Sequence, residues 1–126
     1  CAPLTEETRG MVDAAALGRM KPGAILINVA RGPLVVESAL VQALMGGHLG
    51  GAALDVFDTQ PLPADHPYMA LPNVILTPHM AGITEESMRR MGQGVVAEAR
   101  RVLSGGLPVN LVNPAAVDGY RRRFPA

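Results

Sequence analysis

Arg31, Asp55 and His79 are the residues whose types could do chemistry together. Each stands at or just past the end of a short apolar run. An arginine offers a fixed fork of donors suited to a carboxylate or a developing oxyanion. A histidine exchanges a proton near neutral pH. An aspartate accepts from an amide, such as the carboxamide of a cofactor. Each also has a plainer reading. Arg31 would cap a loop carbonyl, Asp55 would make a local turn hydrogen bond, and His79 would sit half-buried behind Pro78. Together the three describe proton-linked chemistry on a small acid.

The elements that must position them follow from pattern. Asp13 is a fair N-cap for a short helix over 14–20. Lys21-Pro22-Gly23 turns the chain into a strand over 24–30. Its unbroken apolar character predicts burial on both faces, as in a parallel sheet covered by helices. A helix over 35–45 carries Val36, Leu40 and Leu44 on one stripe and stops at Gly46-Gly47. A second buried-type strand covers 51–57. Strand, helix and strand at this spacing make a βαβ unit, and the fold class is α/β. A loop rich in Pro and acids spans 58–72, and a third strand covers 73–76. In open α/β sheets, ligands bind at the carboxyl ends of the strands, where Arg31, Asp55 and His79 fall.

Thr84 N-caps a long helix with Glu85 and Glu86 in its first turn and Arg100 and Arg101 in its last. Met88, Met91, Val95, Ala99, Val102 and Leu103 give its period, and Met88 and Met91 read as core. Gly92 and Gly94 inside it weaken the helix, which predicts close approach of another backbone. Residues 108–114 read as one more short strand, and Arg121-Arg122-Arg123 as a solvated basic tail.

The 126 residues carry 11 basic and 11 acidic side chains, a formal net charge of zero. That argues against a nucleic-acid partner held by a basic face. Residues 1–83 are net −3 and residues 84–126 net +3. The hydrophobic share of 48% argues against disorder. No apolar run approaches the ~18 residues of a membrane span, and no signal peptide is visible, so a cytoplasmic protein is expected. A single cysteine, Cys1, excludes an internal disulfide framework and reads as a small apolar strand residue. His48 and His66 have no metal spacing with His79 and read as loop histidines; no metal is expected. No GxSxG surrounds a serine, and no GxGxxG occurs to cradle a pyrophosphate.

Four stretches resemble the NAD-dependent D-isomer-specific 2-hydroxyacid dehydrogenases. They are Ala2-Pro3-Leu4-Thr5-Glu6-Glu7-Thr8-Arg9-Gly10, Lys21-Pro22-Gly23-Ala24-Ile25-Leu26-Ile27-Asn28-Val29-Ala30-Arg31-Gly32, Ala53-Leu54-Asp55-Val56-Phe57 and Leu71-Pro72-Asn73-Val74-Ile75-Leu76-Thr77-Pro78-His79-Met80-Ala81-Gly82. The loop Pro61-Leu62-Pro63-Ala64-Asp65-His66-Pro67 resembles the glyoxylate and hydroxypyruvate branch. The resemblance implies the second half of a Rossmann-type doubly wound parallel sheet over 1–83. It implies an inter-domain helix over 84–106 and a substrate-domain segment over 107–126. It gives Arg31 the 2-oxo acid's carboxylate and carbonyl, and His79 the role of acid/base. It places Ala2, Pro3, Thr8, Val29, Ala30, Arg31, Asp55, His79 and Gly82 against NAD or NADP. The implied substrate is a small 2-oxo or 2-hydroxy acid, and the implied assembly a homodimer.

Two departures qualify this. Where the family places a glutamate before proline, this chain has Gln60. A carboxylate beside a histidine favours the imidazolium; an amide orients the ring without that charge. The Gln–His pair also resembles formate dehydrogenases, in which hydride leaves without a proton to shuttle. The second departure is the first half of the dinucleotide fold. Two βαβαβ halves make the full sheet, and the sequence holds one. The chain therefore reads as a fragment, inactive alone and with a sheet edge open to association. A non-enzymatic NAD-sensing or corepressor-like module on the same fold is the alternative.

Overall fold

The computed structural model describes residues 2–123; the expectation for Cys1 lies outside them. Asp13 accepts from the backbone N–H of Ala16 at 2.8 Å and starts α1, Ala14–Gly18, which ends two residues earlier than the sequence predicts. Strand β1, Ile25–Asn28, is shorter than the apolar run that predicts it. After it a 3-10 turn over Gly32–Leu34 precedes α2, Glu37–Met45. Val35 and Val36 stand outside that helix. They lie beside Val12, to which Val35 pairs as a parallel bridge. Strand β2 is Gly51–Leu54 and β3 is Val74–Leu76. Within the 58–72 loop, Pro67–Ala70 forms a 3-10 turn that the sequence pattern did not predict.

The three strands are parallel in the order β1-β2-β3. Asn28, Leu54 and Leu76 share one row of the register, and Ile27, Ala53 and Ile75 the row before it. Successive rows point to opposite faces. Leu26, Ala52, Leu54, Val74 and Leu76 face a core built from Leu17, Val35, Ala39, Leu40, Leu44, Leu49 and Tyr68. Leu17, Leu40 and Leu49 are buried to 1% exposure. The other face differs from the expectation. Ile25, Ile27 and Ile75 are each 66–67% exposed. Among the described residues the helices of this unit cover one face of the sheet, and a continuous apolar run reads the same whether one face or both are covered.

Among the described residues, 2–82 form one compact unit and 83–123 a second. In the second, α3 is Glu85–Leu103. Thr84 and Ser87 cap each other's backbone N–H groups. Met88 and Met91 are exposed, and α3 buries no residue, so its apolar stripe is not core here. A side chain at Gly92 or Gly94 would meet nothing within 4 Å, so the expected close backbone approach is absent among the described residues. Residues 108–114 form no strand, since no partner strand lies beside them. Instead the Val109 N–H donates to Glu98 Oε2 of α3 at 2.9 Å. The basic run ends α4, Val117–Arg123, where cations suit the negative end of the helix dipole.

One contact fixes the approach to the site. A Cβ built on Gly32 would strike the backbone carbonyl of Phe57 and approach Asp58 N to 2.6 Å. The segment after β1 is thus pressed backbone to backbone against the segment after β2. Gly32→Ala must part them, and overpacking of this kind costs about 1–3 kcal/mol. A thermal melt of the variant is expected to show that loss; an unchanged melting temperature would contradict the contact.

Candidate active site

The parallel register places Asn28, Leu54 and Leu76 at one edge. Arg31, Asp55 and His79 follow them by three, one and three residues. All three therefore leave the sheet at its carboxyl edge, as the spacing predicts.

Asp55 is 3% exposed, and its carboxylate is held on both oxygens. Oδ1 accepts from the Thr77 hydroxyl at 2.5 Å and from Met80 N–H at 2.8 Å. Oδ2 accepts from Ala81 N–H at 2.8 Å. The Thr77 bond, above all, holds the carboxyl below the ordinary 3.8. Burial works against this; the Ala81 and Met80 amides and nearby His79 reinforce it. The plainer reading of Asp55, a local turn hydrogen bond, is corrected: its donors lie 22 to 26 residues away in sequence. Asp55 fastens a turn 25 residues away in sequence, and that turn carries His79.

His79 sits at φ 57°, the one described non-glycine residue with positive φ. Such a conformation costs about 1–3 kcal/mol and gathers at functional sites. Its ring is exposed, not half-buried behind Pro78. Nδ1 lies 3.2 Å from Gln60 Oε1. The Gln60 amide N–H₂ donates to the Phe57 carbonyl at 3.4 Å, which fixes which end of the amide meets the ring. Its oxygen only accepts, so His79 carries its hydrogen on Nδ1, which leaves Nε2 as the acceptor of the neutral ring. His79 and Gln60 share an open pocket of about 410 Å³ whose walls include Phe57, Pro61, Leu62 and Met69.

Arg31 is exposed and donates from its guanidinium to the Ala30 carbonyl at 2.7 Å, so it does cap a loop carbonyl. Its backbone is set by Asn28, which the sequence reading did not single out. The Asn28 amide donates to the Arg31 carbonyl at 2.9 Å and its oxygen accepts from Ala30 N–H at 3.1 Å. Asn28 is a polar side chain buried at a strand end, and that was the signal available in sequence. Val29 is exposed and Ala30 half-exposed at the same edge. Gly82 is exposed, and a side chain there would meet nothing within 4 Å. Thr8 donates to the Pro3 carbonyl at 2.7 Å, closing the loop that starts at Ala2. Gly10 N–H donates to Pro33 O at 2.8 Å, so this loop ends beside the stretch after Arg31.

The two remaining histidines are more than loop residues. His48 Nε2 lies 3.1 Å from the Leu17 carbonyl. His66 Nε2 lies 2.9 Å from Glu37 Oε1 at the start of α2. Among the described residues no group of three or more His, Cys, Asp or Glu could hold a metal, and no helix is long and apolar enough to cross a membrane.

The Asp55 bonds give a pH prediction. A carboxyl lowered in the fold adds stability above its unfolded value, lost as pH falls through 3.8 and below. The stability of the native chain is expected to drop more steeply in this range than that of Asp55→Asn, which carries no titrating group there. Thermal melts across about pH 2.5–6 on the two proteins, with that interval chosen to span the carboxylate range, read the difference; parallel curves would contradict it.

Residues 1–81 match the family described as D-isomer specific 2-hydroxyacid dehydrogenase, NAD binding domain. The chain is 45% identical over 112 residues to the glyoxylate/hydroxypyruvate reductase B of Citrobacter koseri, covering 89% of this chain and 35% of that protein. A Thermus thermophilus protein of known structure superposes with a TM-score of 0.84 at 47% identity, over 90% of this chain and 36% of the other. A D-isomer specific 2-hydroxyacid dehydrogenase from Xanthobacter autotrophicus Py2, crystallised with NADPH and MES, superposes at 0.74 with 45% identity, over 90% of this chain and 46% of the other. The chain thus spans about a third of the length of the curated relatives it matches. With a match over residues 1–81 and a parallel sheet whose carboxyl edge bears Arg31, Asp55 and His79, the chain belongs to the D-isomer specific 2-hydroxyacid dehydrogenase family.

Proposed function

We propose that the protein to which this chain belongs transfers a hydride between NAD or NADP and a small 2-oxo or 2-hydroxy acid of the glyoxylate or hydroxypyruvate type. The observation that carries this is the exposed His79–Gln60 pair at the sheet edge that also bears Arg31. The exposed Val29 and Gly82 and the half-exposed Ala30 leave room at this edge for a flat nicotinamide ring. The described residues fit that end of the cofactor; none forms a glycine-rich turn for its pyrophosphate. A bound nicotinamide supplies or receives the hydride.

The protein's own groups do the rest. Arg31 swings from the Ala30 carbonyl to pair with the substrate carboxylate and polarise its carbonyl. His79, protonated on both nitrogens, gives the Nε2 proton to the carbonyl oxygen as negative charge grows there. In the oxidative direction the neutral ring takes it back. Gln60 keeps the ring's orientation through both states, since Nδ1 donates to it throughout. Asp55, its carboxylate taken up by Thr77, Met80 and Ala81, sets the backbone that carries His79 on the nicotinamide side. We assign α3 to the link between domains and residues 107–126 to the substrate domain, in a homodimer working in the cytoplasm.

The test is NADH oxidation by the whole protein with glyoxylate or hydroxypyruvate. His79→Asn is expected to lower kcat by about 10²–10⁴-fold, the worth of a general acid. Arg31→Ala is expected to lower kcat/KM by about 10–100-fold, the worth of a charge-assisted hydrogen bond. Gln60→Glu adds a charge beside the imidazolium, so reduction is expected to persist to higher pH; superimposable pH–rate profiles would reject that role. The neutral Gln60 also favours a second reading, hydride removal from formate with no proton transferred. Reduction of NAD by formate, with no activity on 2-oxo acids, would establish it. No activity of either kind, with NADH bound, would establish the sensing module.

A further inference from the structure

We infer that His66 and Glu37 form a positioning clamp that sets Gln60, and through it the His79 ring. This rests on the catalytic reading of His79 for its purpose, though not for its geometry. His66 Nδ1 accepts from Tyr68 N–H at 3.2 Å, capping the 3-10 turn over Pro67–Ala70. That leaves the ring's hydrogen on Nε2, which donates to Glu37 Oε1 at 2.9 Å. The pair joins segments 29 residues apart; the His66 side chain is 12% exposed and that of Glu37 32%.

Its place in the chain gives it reach. Glu37 opens α2, six residues after Arg31. His66 closes the loop that begins at Asp58 and carries Gln60. Between Gln60 and His66 stand Pro61 and Pro63, whose rings restrict the backbone, and Leu62, which packs against the core. A stiff segment moves as a piece, so a shift at His66 is felt at Gln60. At the loop's other end Gly32 presses on Phe57 and Asp58. The Gln60 segment is therefore held at both ends by the stretch that follows Arg31. Phe57 also supplies the carbonyl that orients the Gln60 amide.

The chemistry of the two contacts separates them. Asparagine places an amide oxygen where His66 Nδ1 stands, keeping the Tyr68 cap but losing Glu37. Glutamine reaches Glu37 with its N–H₂ and loses the cap. The readout is the ¹⁵N signature of the His79 ring, which reports the share of neutral ring bearing its hydrogen on Nδ1. His66→Asn and Glu37→Ala are expected to lower that share about twofold, while His66→Gln and Glu37→Gln, which keep a donor–acceptor pair, preserve it. A folded His66→Asn or Glu37→Ala protein with the native His79 signature overturns the clamp. Equal loss in all four variants also overturns it, since that reports general loosening. If His66→Asn fails to fold, the Glu37→Ala and Glu37→Gln pair decides the question. Absence of reductase activity in the native protein would defeat the proposed function while leaving this spectroscopic result to stand or fall by itself.

Discussion

The site depends on a buried carboxylate that has to find donors. Asp55 stands one residue past the central strand, where water scarcely reaches it. An ionised group in such a place is tolerated only when hydrogen-bonded. Its donors all come from the segment after β3: the Thr77 hydroxyl and the amides of Met80 and Ala81. Satisfying one carboxylate therefore folds residues 77–81 back over the end of β2. It also forces His79 between two anchored positions, in a left-handed conformation it would otherwise avoid. Asn28 does the same work one strand away, binding Ala30 and Arg31 with the two ends of its amide. Two buried polar groups at adjacent strand ends thus bend two loops, and those loops carry the arginine and the histidine.

Much of this was legible in the sequence for a simple reason. Apolar blocks of strand length, separated by Gly and Pro, leave few ways to build a parallel sheet, and the strand-end rule then selects Arg31, Asp55 and His79. The Asp13 and Thr84 caps were legible because capping is local chemistry. What the sequence could not disclose is distant pairing. Nothing near Asp55 says that its donors lie 22 to 26 residues downstream. His66 gives no sign by itself of Glu37, and so read as an ordinary loop histidine. The apolar runs misled where they imply cover without saying what supplies it. Ile25, Ile27 and Ile75 face outward on the sheet, and Gly92 and Gly94 face open space.

Gln60 separates two functions that a glutamate would combine. Orientation needs only an acceptor at Nδ1, and the amide oxygen provides it. The orientation is set by the other end of the amide, which donates to the Phe57 carbonyl; a flipped amide would set its oxygen against that carbonyl oxygen. Charge stabilisation of the imidazolium is what the amide omits. The ring is therefore aimed as well as a carboxylate would aim it, but it is less biased toward the protonated form. That suits chemistry in which the proton is needed only as the oxyanion develops, and it equally suits chemistry that moves no proton.

The precision of the site comes from contacts that are small or polar and not from the hydrophobic core. The core fixes the strands, but each reactive side chain stands on a loop, where apolar packing is thin. Those loops are fastened by a missing Cβ at Gly32, by the Asp55 carboxylate, by the Asn28 amide and by the His66–Glu37 pair. Each such tie acts over a few tenths of an ångström, whereas a core side chain can be replaced by one of similar volume with modest repacking. Catalytic geometry is sensitive on that same short scale. It follows that changes that break the ties at Asn28, Glu37 or His66 disturb the chemistry more than they disturb the fold, while changes among the core leucines do the reverse.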